Sequence, residues 1–189
     1  MEKLIEMIEK LELENQLSLE EMPEIDLYMD QVIQLFENKF AASKRNEDEK
    51  VLTKTMINNY AKGKLFIPIK NKKYTKEHLI LISLIYQLKG ALSINDIKVT
   101  LEEMNKLVLE GDVDIKNFYQ TFLQLSSENV EKFQDDIKIG ADHVEEKLAN
   151  LEGNSDYLQK MLLITSFVHM SNLYRRVAEK LVDEIIEEK

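Results

Sequence analysis

The sequence predicts a mostly α-helical protein with one small β element before its middle and a helical bundle at its C-terminal end. Three observations predict it. Five Gly and two Pro in 189 residues leave long stretches free of helix breakers. Apolar residues recur at intervals of three and four along most of the chain. One stretch, Leu65 to Tyr74, breaks that rhythm with β-branched and aromatic residues around Pro68 and a Lys70-Asn71-Lys72-Lys73 tip, which suits a small two-stranded wing.

Taken in order, Glu2 to Leu13 is a charged amphipathic stretch, expected as a loosely attached helix. Ser18 and Glu21 have capping-box spacing, in which hydroxyl and carboxylate satisfy each other's backbone donors. Ile25, Tyr28, Met29, Val32, Leu35, Phe36 and Phe40 predict a helix over 24–40 with one buried stripe. Ala41 to Lys50 is a polar connector. Thr53 can cap a short helix that ends at Gly63, a residue suited to the left-handed position after a helix. Its apolar side is Met56, Ile57 and Tyr60. Thr75 opens a strongly apolar helix over 76–89, and Gly90 ends it. Ser93 then caps the helix that carries Ile97, Leu101 and Met104.

Beyond Val113 only helical signals remain. Ile115, Phe118, Phe122, Leu125, Val130, Phe133 and Ile137 form one expected buried stripe. Val144, Leu148 and Leu151 form a shorter one, interrupted by Gly153-Asn154. In the last helix Leu163, Phe167, Met170, Tyr174, Val177 and Leu181 alternate by four and three, a seam that a helix pair can bury. Ile164, Val168, Leu173 and Val182 lie off that seam, so this helix is expected at the centre of a bundle. The boundaries are then 1–23 for an N-terminal segment, 24–111 for the unit with the wing and 112–189 for a helical dimerisation or effector domain.

Charge is segregated. From Lys39 to Lys98 there are 13 Lys or Arg against 5 Asp or Glu, a balance of +8 in a chain whose formal total is −10; the remainder carries −18. That is the footprint of a nucleic-acid-binding module on an acidic body. Other functions are disfavoured. Absence of cysteine excludes disulfides, zinc–thiolate and iron–sulfur sites and thiol nucleophiles. Apolar runs such as Leu79–Ile82 and Met161–Ile164 are too short to cross a bilayer, and Met1–Glu20 lacks the apolar core of a secretory leader, so a cytoplasmic location is expected. No phosphate loop, dinucleotide fingerprint or nucleophile elbow occurs, so neither enzyme activity nor a cofactor is expected. Asp142, His143, Glu145 and Glu146 point around a helix without converging, and no metal site is expected there. His169, within an apolar stretch, is expected as a packed core histidine.

The order of short capped helix, basic Pro-containing wing, apolar helix and second capped helix resembles that of a winged helix-turn-helix. It resembles the DNA-binding domain of MerR-type transcription regulators. There a Ser or Thr cap opens the recognition helix, an Arg-Tyr-Tyr run follows, and then come a Gly-Leu exit, a Pro and an Arg-rich wing ending in Tyr. Here Thr53 stands at the cap, Asn58-Asn59-Tyr60 at the run, Leu65 and Pro68 at the exit, and Lys72-Lys73-Tyr74 in the wing. Glu77 and Leu79 continue as that family's next helix does, and Ser93 to Lys98 looks like its Ser-Leu-Glu-Glu-Ile-Lys segment. Asn58 and Asn59 replace the Arg and first Tyr, and Lys64 occupies the exit Gly. The whole chain is similar to a bacterial family of MerR-like domains with a helical tail, a domain of unknown function.

The resemblance implies a transcription regulator whose partner is double-stranded DNA, with room for a small-molecule effector. The seam of the last helix predicts a homodimer, the alternative being that it packs inside the chain against Phe118, Phe122 and Phe133. The DNA-binding candidates are Lys54, Thr55, Asn58, Asn59 and Lys62 on the helix and Lys70, Lys72 and Lys73 on the wing. Asn can pair with adenine N6 and N7, while Lys and Thr reach phosphates. Two readings stay open for these residues: a groove-reading surface, or an ordinary solvated face and hairpin tip. Tyr60 and Tyr74 are expected as buried scaffold. The rival for the whole unit is a protein-interaction module on the same scaffold.

Overall fold

The computed structural model describes residues 2–148 and 155–188. Its elements are α1 (Glu2–Glu9), β1 (Leu27–Tyr28), α2 (Met29–Phe40), α3 (Lys54–Lys62), β2 (Lys73–Tyr74), α4 (Lys76–Leu88), α5 (Ile94–Glu110), α6 (Ile115–Leu148) and α7 (Ser155–Glu187), with a 3-10 turn at Ala41–Ser43. The protein is therefore mostly helical. No described helix is long and apolar enough to cross a membrane.

The most apolar segment becomes the centre. In α4 every residue from His78 to Ile85 is buried, so this helix meets neighbours on all sides. Around it pack Val32, Phe36 and Phe40 of α2, Ile57 and Tyr60 of α3, Ile97 and Leu101 of α5, and Ile115 and Tyr119 at the start of α6. Leu17, Met22 and Leu27 of the leading segment close the cluster, tied down where the Tyr119 hydroxyl donates to the Leu17 carbonyl at 2.7 Å. Each such side chain contributes about 1.5–3 kcal/mol by leaving water. The polar connector is held by Glu37, whose Oε1 accepts from the Val51 and Leu52 amides at 2.9 and 3.3 Å while Oε2 pairs with Lys44.

Several elements differ from expectation. The Ser18–Glu21 pair forms, with Ser18 N–H donating to Glu21 Oε2 at 2.8 Å, but it closes a turn and starts no helix. The helix expected from Glu24 begins at Met29, because Leu27 and Tyr28 pair as a strand with Tyr74 and Lys73. Ile25 is consequently exposed. The Leu65–Tyr74 stretch is not a self-contained two-stranded wing: its internal ladder reduces to a Lys70–Lys73 bridge, and its last two residues pair with β1 instead.

The two long helices depart most. On α6 the buried residues are Ile115, Tyr119, Ile137 and Ala141, so the two ends of the expected stripe, Ile115 and Ile137, are buried, and Phe122 is partly buried against the core. Phe118, Leu125 and Phe133 are left substantially exposed. Helix α7 contacts α6 and α5, yet Val182 is its one buried residue among those described, so it is no central helix. Its His169 is exposed, and the core histidine is His78. Leu151, Gly153 and Asn154 lie outside the described residues; Val144 and Leu148 belong to α6.

Candidate nucleic-acid interface

Helix α3 starts where expected. Thr53 Oγ1 accepts the Met56 amide at 3.1 Å, and Ile57 and Tyr60 turn inward to the core. That anchoring leaves Lys54, Thr55, Asn58, Asn59 and Lys62 exposed along the other side, at positions i, i+1, i+4, i+5 and i+8. Tyr60 and Tyr74 are buried, as scaffold residues. Burial raises both phenol pKa values above their ordinary range.

The helix exit is a Schellman motif. Leu65 N–H reaches the Tyr60 carbonyl at 3.0 Å and Lys64 N–H the Ala61 carbonyl at 3.1 Å. The left-handed residue is Lys64 (φ 58°), not Gly63, whose φ is −72°. Gly63 is needed for space: a Cβ there would meet Leu65 Cδ1 at 2.7 Å and the Asn59 carbonyl oxygen at 3.2 Å. Asn105 of α5 steadies the exit, its Nδ2 donating to the Leu65 carbonyl at 3.1 Å.

The basic tip is a two-residue turn. Lys73 N–H donates to the Lys70 carbonyl at 3.0 Å, and Asn71 and Lys72 both take left-handed conformations (φ 53° and 58°), as a type I′ hairpin turn requires. Lys70 and Lys72 are exposed, while Lys73 is half-buried with its ammonium 5.8 Å from the centre of the Tyr28 ring. Beneath the turn Phe66, Tyr74 and His78 pack edge to face at centroid distances of 5.7–6.2 Å. His78 Nδ1 accepts the Thr75 amide at 3.1 Å. Its Nε2 makes no hydrogen bond of good geometry, although the Ile67 and Pro68 carbonyls favour its proton. Burial dominates and lowers the His78 pKa.

The fold brings the two halves of the candidate face together. Asn58 of α3 and Lys72 of the turn line one cleft of about 410 Å³, with Tyr28, Asp30 and Ile69 among its walls. Charge is less available than the count along the chain implies. Lys39 pairs with Glu21, Lys44 with Glu37 and Lys76 with Glu24, and Lys89 donates to the Val51 carbonyl. Lys54 pairs with Asp30 at 2.7 Å, both well exposed. Lys62, Lys70 and Lys72 make no ion pair among the described residues. Asp30 is the feature that sequence reasoning missed, since the packing of α2 on α3 sets its carboxylate beside Lys54. Among the described residues no group of His, Asp and Glu is arranged to hold a metal ion.

Comparison with known families corrects one expectation. The profile of a domain of unknown function, DUF1836, matches residues 17–122, and no MerR or winged-helix family matches. The MerR-type resemblance is therefore withdrawn. It rested on local motifs between Thr53 and Lys98, while the strand pairing that supports the turn comes from Leu27 and Tyr28, a segment the resemblance did not include. No curated protein and no solved structure matches the chain. The matched residues are more than half of the chain, and the protein belongs to the DUF1836 family.

Proposed function

We propose that this member of the DUF1836 family binds double-stranded DNA through α3 and the 70–73 turn, as a transcription regulator. One observation carries the reading: Asn58, on the exposed Lys- and Asn-bearing face of α3, and Lys72 of the Lys-rich turn border the same cleft. On this reading α2 and α3 act as the helix-turn-helix, with α3 as its recognition helix and the 70–73 turn before α4 as a minimal wing. Helix α3 lies in the major groove, where Asn58 or Asn59 meets adenine, and Lys62, Lys70 and Lys72 take phosphates beside it. Two copies, joined through the tail, present two such units to one duplex, the arrangement by which small helix-turn-helix units gain affinity.

The Lys54–Asp30 pair favours the rival, a protein-interaction module in the same family. A carboxylate beside the start of α3 repels phosphate and offsets one of the five helix candidates. Competition binding separates the readings. Asn58→Ala should blunt preference for a selected duplex over random DNA, because a bidentate contact supplies about 1–3 kcal/mol of discrimination. Lys62→Ala should weaken all duplexes alike. Equal behaviour of the two variants, or no binding to any duplex, favours the rival.

A further inference from the structure

Helices α6 and α7 form an arm whose apolar content is far from used up inside the chain. On α7, Met170, Leu173, Tyr174, Val177 and Leu181 are each 43–63 % exposed and share one side of the helix. No charged residue interrupts that row. The arm is antiparallel, with Gly140 of α6 beside Phe167 of α7: a Cβ on the glycine would lie 3.9 Å from the Phe167 ring. Seven residues along each helix from that contact, Phe133 of α6 comes level with Tyr174. Phe133 is itself 41 % exposed. The row on α7 and the apolar flank of α6 thus form one continuous two-helix surface.

We infer that the same surface of a second copy covers it, the two arms closing into a four-helix bundle. This deepens the pairing named above, and rests on it only in taking a second copy as the partner. Size supports it. Beyond the core α6 continues from about residue 124 to Leu148, about 38 Å beside α7, and a two-helix layer about 20 Å wide offers roughly 750 Å² a side. Stable pairs need about 800 Å² from each partner. Charge supports it as well. Copies of a chain carrying −10 repel one another except across a charge-free face, which is what this row provides. A basic partner would find no carboxylate in the row to recognise. A uniformly apolar row is also self-complementary about a twofold axis, as a symmetric pair demands.

The test uses the full chain, without DNA, so that its outcome is independent of nucleic-acid binding. Light scattering and sedimentation at micromolar concentration should give a dimer. Tyr174→Glu with Val177→Glu should raise the dissociation constant at least roughly a hundredfold. Helical circular dichroism should stay unchanged, because both residues are exposed within one chain. The control, Ile164→Glu with Val168→Glu on the other side of α7, should leave the dimer intact. A monomeric wild type overturns the inference. So does a dimer that survives the first pair of substitutions, or one split equally by both pairs.

Discussion

Residues 17–122 and the arm beyond them use apolar side chains in opposite ways. In the first region α4 buries eight consecutive residues, and Tyr119, Phe122 and Leu123 are the last side chains to join the core. In the second, α7 runs 33 residues with one buried residue described, while Ile164, Val168, Met170, Leu173, Tyr174, Val177 and Leu181 stay open to water. The family match stops at 122, where the core stops. The core is thus completed before the arm begins, and among the described residues of the arm only Ile137, Ala141 and Val182 are buried.

Substitution should show the largest contrast. Ile82→Ala, in the middle of α4, should destabilise by about 2–5 kcal/mol in urea unfolding of the matched region. Val177→Ala should change the stability of the single chain by less than about 0.5 kcal/mol. Equal effects at the two positions would erase the distinction. Backbone strain divides the regions as well: every described non-glycine residue with positive φ lies before residue 73. Lys64→Gly, which removes a left-handed lysine at the α3 exit, should stabilise by about 1 kcal/mol in the same assay. An unchanged or lowered midpoint would mean that the exit carries no strain.

Acidity gives a graded contrast centred on His78. Its pKa in the folded protein lies below the ordinary 6.5, chiefly through burial, while the Ile67 and Pro68 carbonyls, Glu77 and Asp26 pull the other way. The unfolded chain therefore takes up this proton first. The stability involved is complete above about pH 6.5 and is lost progressively as pH falls below it. Melting temperatures between pH 7.5 and 5 should fall for the wild type and flatten for His78→Asn. Parallel curves would show that His78 does not set the acid response.

Local signals were legible in the sequence and tertiary ones were not. The Thr53 and Ser93 caps, the ends of α4 and the exposure of Asn58, Asn59 and Lys62 follow from spacing and capping chemistry. The delayed start of α2 was hidden because Leu27 and Tyr28 owe their conformation to Lys73 and Tyr74, far along the chain. The stripe on α6 holds at Ile115, Phe122 and Ile137 and fails at Phe118, Leu125 and Phe133, which keep helical spacing whether they face a core or an open flank. Periodicity shows that a face is apolar, not what covers it. The basic face was overcounted for a related reason: Lys39, Lys44 and Lys76 have carboxylate partners brought in by the fold.

If the exposed lysines of α3 and the turn hold DNA phosphates, binding must weaken with salt in proportion to their number. Fluorescence anisotropy of a labelled duplex, titrated with protein between 50 and 200 mM salt, measures this. The wild type is compared with Lys62→Glu, Lys70→Glu and Lys72→Glu combined. Wild-type binding is expected at 50 mM salt and should fall steeply as salt rises. In the triple variant the slope of log affinity against log salt should be shallower by about 2.7, roughly 0.9 for each phosphate no longer neutralised. No binding by the wild type, or superimposable slopes for the two proteins, would contradict the assignment of these lysines to DNA.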